Sequence, residues 1–327
     1  MGIVNANAAP AVRTKRLMRA ETLNLLGLVG VLVLLFVIAA SLSPSFLNTF
    51  NLINVLRQIA LYGIVSIGLT VVIITSGIDL SVGSIVGVVS VSTALMLNSG
   101  LALPLTILVA LAMGLVFGMV NGVGIAFGRI PPFIMTLGSM VMLRGLALTI
   151  ADGRPIDLTN ADPVFAIIGR GNLLGIPVSV WIFLSVALIV GYVLRYTQFG
   201  RNVFAVGSNV EAARLSGVNV AATRIKVYML SGLLAALTAV IFVSRLTVGE
   251  PTAGTGLELE AIAIAVIGGT SLFGGQGSVV GTIVGAAILA ILANIMNLVG
   301  ISPFTQQMVK GAIIILAVSF ELLRRHR

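Results

Sequence analysis

Asp79 stands between two apolar runs, in the stretch Ser76-Gly-Ile-Asp-Leu-Ser-Val-Gly83. A carboxylate at membrane depth costs on the order of 3 kcal/mol, so such a group is buried against protein or lines a wet cavity. The competing reading is that it caps the next helix at the membrane surface. Gly77 and Ser81 make the break around it flexible and polar. A comparable break, Gly268-Gly-Thr-Ser-Leu-Phe-Gly-Gly-Gln-Gly277, lies in the second half, with Thr270 and Ser271 as its hydroxyls. Interruptions paired in two halves of a membrane chain point to a translocation path. Gly77, Asp79, Ser81, Thr270 and Ser271 are its candidate residues.

Other chemistries find no footing. The chain has no cysteine, which removes disulfides, thiolate nucleophiles and sulfur-ligated metals together. The only histidine, His326, sits in a basic tail and reads as solvated. The signatures H-E-x-x-H and G-x-S-x-G are missing, and no G-x-x-x-x-G-K-S/T loop is present to cradle ATP. The apolar runs also lack the Asp/Glu/His relay of a proton-coupled carrier. The expectation is a chain that is not an enzyme and holds no metal or cofactor. Energy for any transport must then come from another protein.

Only 9% of the residues are charged, against roughly 25% in a soluble domain, and the mean hydropathy is +1.16. This is the composition of an all-α polytopic membrane protein with room for about ten spans of ~20 residues. The net charge of +9 is scattered between apolar runs, so it reports membrane topology and not nucleic-acid binding.

The longest polar stretch inside the chain is 198–224, which carries Arg201, Arg214 and Arg224 between Arg195 and Lys226. By the positive-inside rule it faces the cytoplasm. One short helix is expected there, with Asn209 as its cap, Glu211 in the first turn and Gly217 as its left-handed stop. A capped helix held at the membrane surface is a handle for another protein.

The elements around these residues follow from breakers and charge. A basic tail, 1–22, precedes one membrane domain, 23–323, and a second basic tail, 324–327, closes the chain. Both tails are expected inside. Asn48–Arg57 reads as a short surface piece before a span at Gln58–Thr75, and Ala261–Leu272 reads as a short eighth span. The outer loops hold six acids, Asp152, Asp157, Asp162, Glu250, Glu258 and Glu260. They are either ordinary solvated charges or a face that docks a partner through complementary charge. Arg144 and Lys310, inside apolar spans, either snorkel to an interface or enter an internal ion pair. Gly114, Gly118 and Gly122, and again Gly277, Gly281 and Gly285, form small-residue stripes that pack helices closely.

Three stretches carry a family resemblance. They are Thr70-Val-Val-Ile-Ile-Thr-Ser-Gly-Ile-Asp-Leu-Ser-Val-Gly-Ser84, Glu211-Ala-Ala-Arg-Leu-Ser-Gly-Val218, and Pro251-Thr-Ala-Gly-Thr-Gly-Leu-Glu-Leu-Glu-Ala-Ile-Ala263 with Gly268-Gly-Thr-Ser271. Together they resemble the membrane permease of ribose-type ABC importers, over about Leu42 to Ala317. The resemblance implies a type II ABC importer-like permease fold in the bacterial cytoplasmic (inner) membrane, as a homodimer of ten-helix subunits surrounded by membrane lipid. It also implies a periplasmic or extracellular sugar-binding protein, a monosaccharide substrate, and a cytoplasmic ATPase on which ATP and Mg reside. Asn209–Gly217 then looks like the coupling helix, with Glu211, Ala212, Ala213 and Gly217 on the family pattern and Arg214 placed to meet an ATPase carboxylate. D-Ribose is the first substrate expectation, with xylose, galactose and autoinducer-2 as alternatives. A stand-alone secondary sugar carrier is the rival from another class. It would need membrane carboxylates for cation coupling and no partner helix.

Overall fold

The structure, a computed structural model, describes residues 10–159 and 162–325. The first nine residues of the basic tail, and His326 with Arg327 of the other, lie outside them. Helix α1 (Pro10–Leu42) begins well before Leu23, so helix runs through most of the stretch expected as a tail. After the Ser43-Pro44 break, Asn48 caps α2 (Thr49–Ile74) by accepting from the Phe50 amide. Asn48–Arg57 is therefore not a separate surface piece. No breaker separates Arg57 from Gln58, and the 26 residues of α2 form one helix about 39 Å long.

The chain continues through α3 (Val82–Asn98), α4 (Leu103–Ala126) and α5 (Pro132–Ile150). The loop that follows holds β1 (Ile156–Asp157), α6 (Pro163–Arg170), β2 (Asn172–Leu173) and β3 (Ile176–Pro177). Then come α7 (Val178–Tyr196), α8 (Gln198–Ser208), α9 (Val210–Leu215) and α10 (Val220–Leu246). The chain closes with β4 (Val248–Gly249), α11 (Leu257–Ile267), α12 (Val279–Leu298) and α13 (Pro303–Arg325). Among the described residues seven helices, α1, α2, α4, α5, α7, α10 and α12, are long and apolar enough to cross a membrane. With α3, the segment ending in α11, and α13, the chain passes ten times between two ends, one carrying α9 and the other α6.

Helices α2 and α10 form the centre, with 78% and 72% of their apolar windows buried, whereas α1 is 6% buried and lies on the rim. The first glycine stripe makes the central contact. A Cβ on Gly114 would lie 2.3 Å from the Gly232 carbonyl oxygen, and one on Gly118 would lie 2.2 Å from that of Tyr228. Only hydrogen fits there, so α4 and α10 approach backbone to backbone, antiparallel, through van der Waals packing. Gly281 and Gly285 do the same for α12 against Gly268 and Ile264 of α11.

The eighth pass is built unlike the others. Strand β4 pairs antiparallel with β1, and the backbone then descends without helix along α3. A Cβ on Gly249 would touch Ala94, one on Gly87 would lie 2.8 Å from the Pro251 oxygen, and one on Gly83 would lie 2.2 Å from that of Gly254. Helix α11 starts only at Leu257, and its 11 residues cover about 16 Å, half of a bilayer core of ~30 Å. Non-helical backbone at such depth survives only when protein satisfies its polar groups. Arg144 of α5 does so, donating from Nη1 to the carbonyls of Pro251 at 2.6 Å and Ala253 at 3.0 Å. Arg144 is thus an internal tie and does not snorkel. The same descent carries Glu258 and Glu260 below the outer surface, where solvated loop acids were expected.

Candidate functional site

Asp79 is fully buried. Its Oδ1 accepts from the Ser81 amide at 3.0 Å and the Ser81 hydroxyl at 2.6 Å, and Oδ2 accepts from the Ser231 hydroxyl at 2.7 Å. The Ser81 oxygen accepts in turn from Asn121 Nδ2 at 2.9 Å, and Ser139 donates to Asn121 Oδ1. One residue earlier, the Ile78 carbonyl takes the hydroxyls of Thr136 and Tyr228, each at 3.2 Å. A seven-residue break in one chain segment is thereby tied to α4, α5 and α10. Gly77 and Ser81 are buried as well. The first interruption is a closed polar junction, so in this conformation its candidate path residues face protein. Asp79 is buried against protein and at the same time accepts the Ser81 amide at the start of α3.

The second interruption docks directly on the first. The Gly275 amide donates to the Ile74 carbonyl at 2.8 Å, and the Ser76 hydroxyl reaches the carbonyls of Phe273 at 2.8 Å and Gly207 at 3.3 Å. Gly274 and Gly275 both have positive φ, 83° and 73°, which side chains rarely adopt. Thr270 is buried with its hydroxyl unpartnered, and Ser271 caps the turn by accepting from the Phe273 amide at 3.3 Å. Sequence reasoning paired the two interruptions but did not foresee their contact. Nor did it find the third member, Gly207, because it took 198–208 as loop. Those residues form α8, started by Thr197, whose hydroxyl accepts from the Gly200 amide. Phe199, Val203 and Val206 mark its inner face at helical spacing.

Two residues beyond Gly207 the surface helix begins. Asn209 Oδ1 accepts from the Ala212 amide at 2.9 Å, and Gly217 closes the helix at φ 81°, as the sequence indicates. Ala213 is buried against Val206 and Val220, so it fixes α9 to α8 and α10 and presents nothing outward. Arg214 is paired within the helix to Glu211, 3.0 Å apart, with both side chains mostly exposed. Leu215 projects beside them at 88% exposure. The helix thus presents one apolar side chain beside an ion pair at its surface.

At the other end, Asp152 and Asp157 are exposed, Asp162 caps α6 by accepting from the Val164 amide, and Glu250 accepts from the amide and hydroxyl of Thr252. Asp162 is exposed too, whereas Glu250, Glu258 and Glu260 are half-buried. Glu260 is ion-paired with Lys310 of α13, and Glu258 lies against Gly83. The positive end of α11 and the two internal cations account for acids at that depth.

Residues 51–318 match the family described as branched-chain amino acid transport system / permease component. The chain is 45% identical over 290 residues to the ribose import permease protein RbsC of Escherichia coli K12, covering 88% of this chain and 90% of that protein. It is 43% identical over 287 residues to RbsC of Bacillus subtilis 168, covering 88% and 89%. The xylose transport system permease protein XylH of Escherichia coli K12 is 36% identical over 343 residues, covering 86% and 87%. No solved structure matches the chain significantly.

Proposed function

The chain belongs to the family of branched-chain amino acid transport system permease components, and on that premise we propose that it is the membrane subunit of an ATP-driven importer of a monosaccharide, D-ribose. The higher identity to two ribose permeases than to a xylose permease supports that substrate. The observation that carries the mechanism is the three-way contact of Ile74, Gly207 and Gly275. It joins the surface helix to both membrane interruptions within a few residues.

In this reading residues 23–323 act as one permease domain, two copies form the conduit, and lipid covers the rim helices. Basic residues clustered around α8 and α9 favour a cytoplasmic position for that end, and with it both termini. A separate ATPase holds ATP and Mg and engages Glu211, Ala212, Arg214 and Leu215. A loaded sugar-binding protein docks at the opposite end on Asp152, Asp157, Asp162 and Glu250. Closure of the ATPases moves α9, and α8 carries the displacement to the ends of α2 and α11. Separation of the two interruptions then exposes Gly77, Asp79, Ser81, Thr270 and Ser271 to the passing sugar. Affinity resides in the binding protein, so the permease needs only weak holding of its substrate.

The test is reconstitution of the chain with its ATPase and binding protein in proteoliposomes, measuring D-ribose uptake and ribose-stimulated ATP hydrolysis. Both are expected to require all three proteins. Uptake that proceeds without the ATPase makes the chain a secondary carrier and ends this reading.

A further inference from the structure

At the end opposite α9 a cavity of about 510 Å³ opens between α2, α10, α11 and α12, within the size range of small-molecule sites. One wall is a polar stripe on α2. Asn51, Asn54, Gln58 and Tyr62 follow one another at three- and four-residue spacing, so all four lie on one helix face. Asn294 and Asn297 of α12 and Glu260 of α11 line the same cavity. The rim is fixed by a reciprocal amide pair, Asn51 to Asn294 at 3.0 Å and Asn294 to Asn51 at 2.7 Å. Tyr62 lines the cavity together with Gln58 and Glu260. Asn54, one turn below the rim, points to no protein partner.

A chain with 58% hydrophobic residues has no packing reason to gather carboxamides from two helices. Each amide offers a donor and an acceptor, which is what a sugar hydroxyl needs on its two sides. The charge pattern argues against a metal cation, because Glu260 is already paired with Lys310. Arg245, also in the lining, adds a planar fork of donors suited to two adjacent hydroxyls. We infer that this cavity is a receiving site for a neutral aldose, with Asn54, Gln58 and Asn297 as its hydrogen-bonding groups and Glu260 in its lining. The inference rests on the sugar-importer reading and adds the residues that first hold the substrate.

Because the native chain lacks cysteine, a single substituted thiol reports the cavity directly. The full chain carrying Asn54→Cys, reconstituted in nanodiscs with its ATPase and without binding protein, is exposed to a membrane-impermeant thiol reagent with and without high D-ribose or D-xylose. Asn297→Cys serves as a second reporter and Thr252→Cys, whose side chain is exposed although the backbone around it is buried, as control. The expected result is that both cavity cysteines react and that one of the free sugars slows them by about fivefold, leaving Thr252→Cys unchanged. Cavity thiols that do not react, or that react equally with and without either sugar, overturn the site. Protection by ribose 5-phosphate but by neither free sugar also overturns it, assigning the cavity to an anion through Arg245. Loss of ribose uptake in the complete wild-type system would sink the importer reading instead, and the two failures are read by separate measurements.

Discussion

Gly207 of α8 and Ile74 of α2 are in direct backbone contact: a Cβ on the glycine would lie 1.7 Å from the Ile74 carbonyl oxygen. That oxygen already accepts the Gly275 amide, so any side chain at 207 pushes three elements apart at once. Overpacking of this kind costs about 1–3 kcal/mol. Gly207→Val is expected to leave a folded, membrane-inserted chain whose ribose uptake in the complete system falls by roughly tenfold or more. Normal uptake by that variant would show that the junction carries no coupling.

The Asp79 network makes a stability prediction. Asp79→Ala strands the Ser81 amide and two hydroxyls, each costing about 1–3 kcal/mol when left unpaired in the interior. Asp79→Asn keeps an acceptor toward Ser81 and offers its amide to the Ser231 oxygen. The thermal midpoint of the detergent-solubilised chain should therefore drop sharply for alanine and much less for asparagine. Equal midpoints for both variants and wild type would remove Asp79 from the structural account.

Glu260 and Lys310 form a partly buried pair. Breaking such a pair leaves one uncompensated charge, whereas replacing both partners is close to neutral. Glu260→Gln and Lys310→Met should each destabilise the chain by about 1–3 kcal/mol, reduced from fully buried values by the remaining solvent contact. The double variant should recover most of that loss. A double variant as unstable as the sum of the singles would mean that the two residues do not interact.

The surface helix makes the opposite kind of prediction. Glu211 and Arg214 are mostly exposed and Leu215 is 88% exposed, so substitution there barely touches the fold. Glu211→Lys and Leu215→Asp should leave the thermal midpoint unchanged and weaken co-purification with the ATPase by roughly tenfold. ATPase binding at wild-type strength by both variants would move the partner surface elsewhere.

Much of this architecture is legible in the chain itself, for a simple physical reason. Apolar runs bounded by Pro, Gly and polar residues have one solution in a membrane, so α4, α7 and α12 begin and end within a residue of the breakers that mark them. The glycine stripes are equally readable, since their spacing alone places them on one face. Other features were hidden because their cause is distant in sequence. Residues 249–256, with Pro251, Gly254 and Gly256, read as a solvated loop. Only Gly83, Gly87 and Arg144, far upstream, turn them into buried backbone. The clue was there in a lone arginine within an apolar span. Helix α8 was missed because polarity outweighed its Phe199, Val203 and Val206 period. The stripe from Asn51 to Tyr62 was missed because its first half was assigned to a separate surface piece.

The eighth pass also constrains how the chain reaches its final form. No window spanning 248–267 is helical and apolar over bilayer length, so the segment has no means of partitioning into lipid unaided. Its seat consists of Gly83 and Gly87 on α3 and the guanidinium of Arg144 on α5, all synthesised earlier. The order of the sequence is thus an order of assembly. The residues that line the receiving groove precede in the chain the strand that fills it, and α12 and α13, which pack on α11, follow it. Damage to that groove would reveal itself at biogenesis, as protein that is made but never matures, before any defect in transport could be measured.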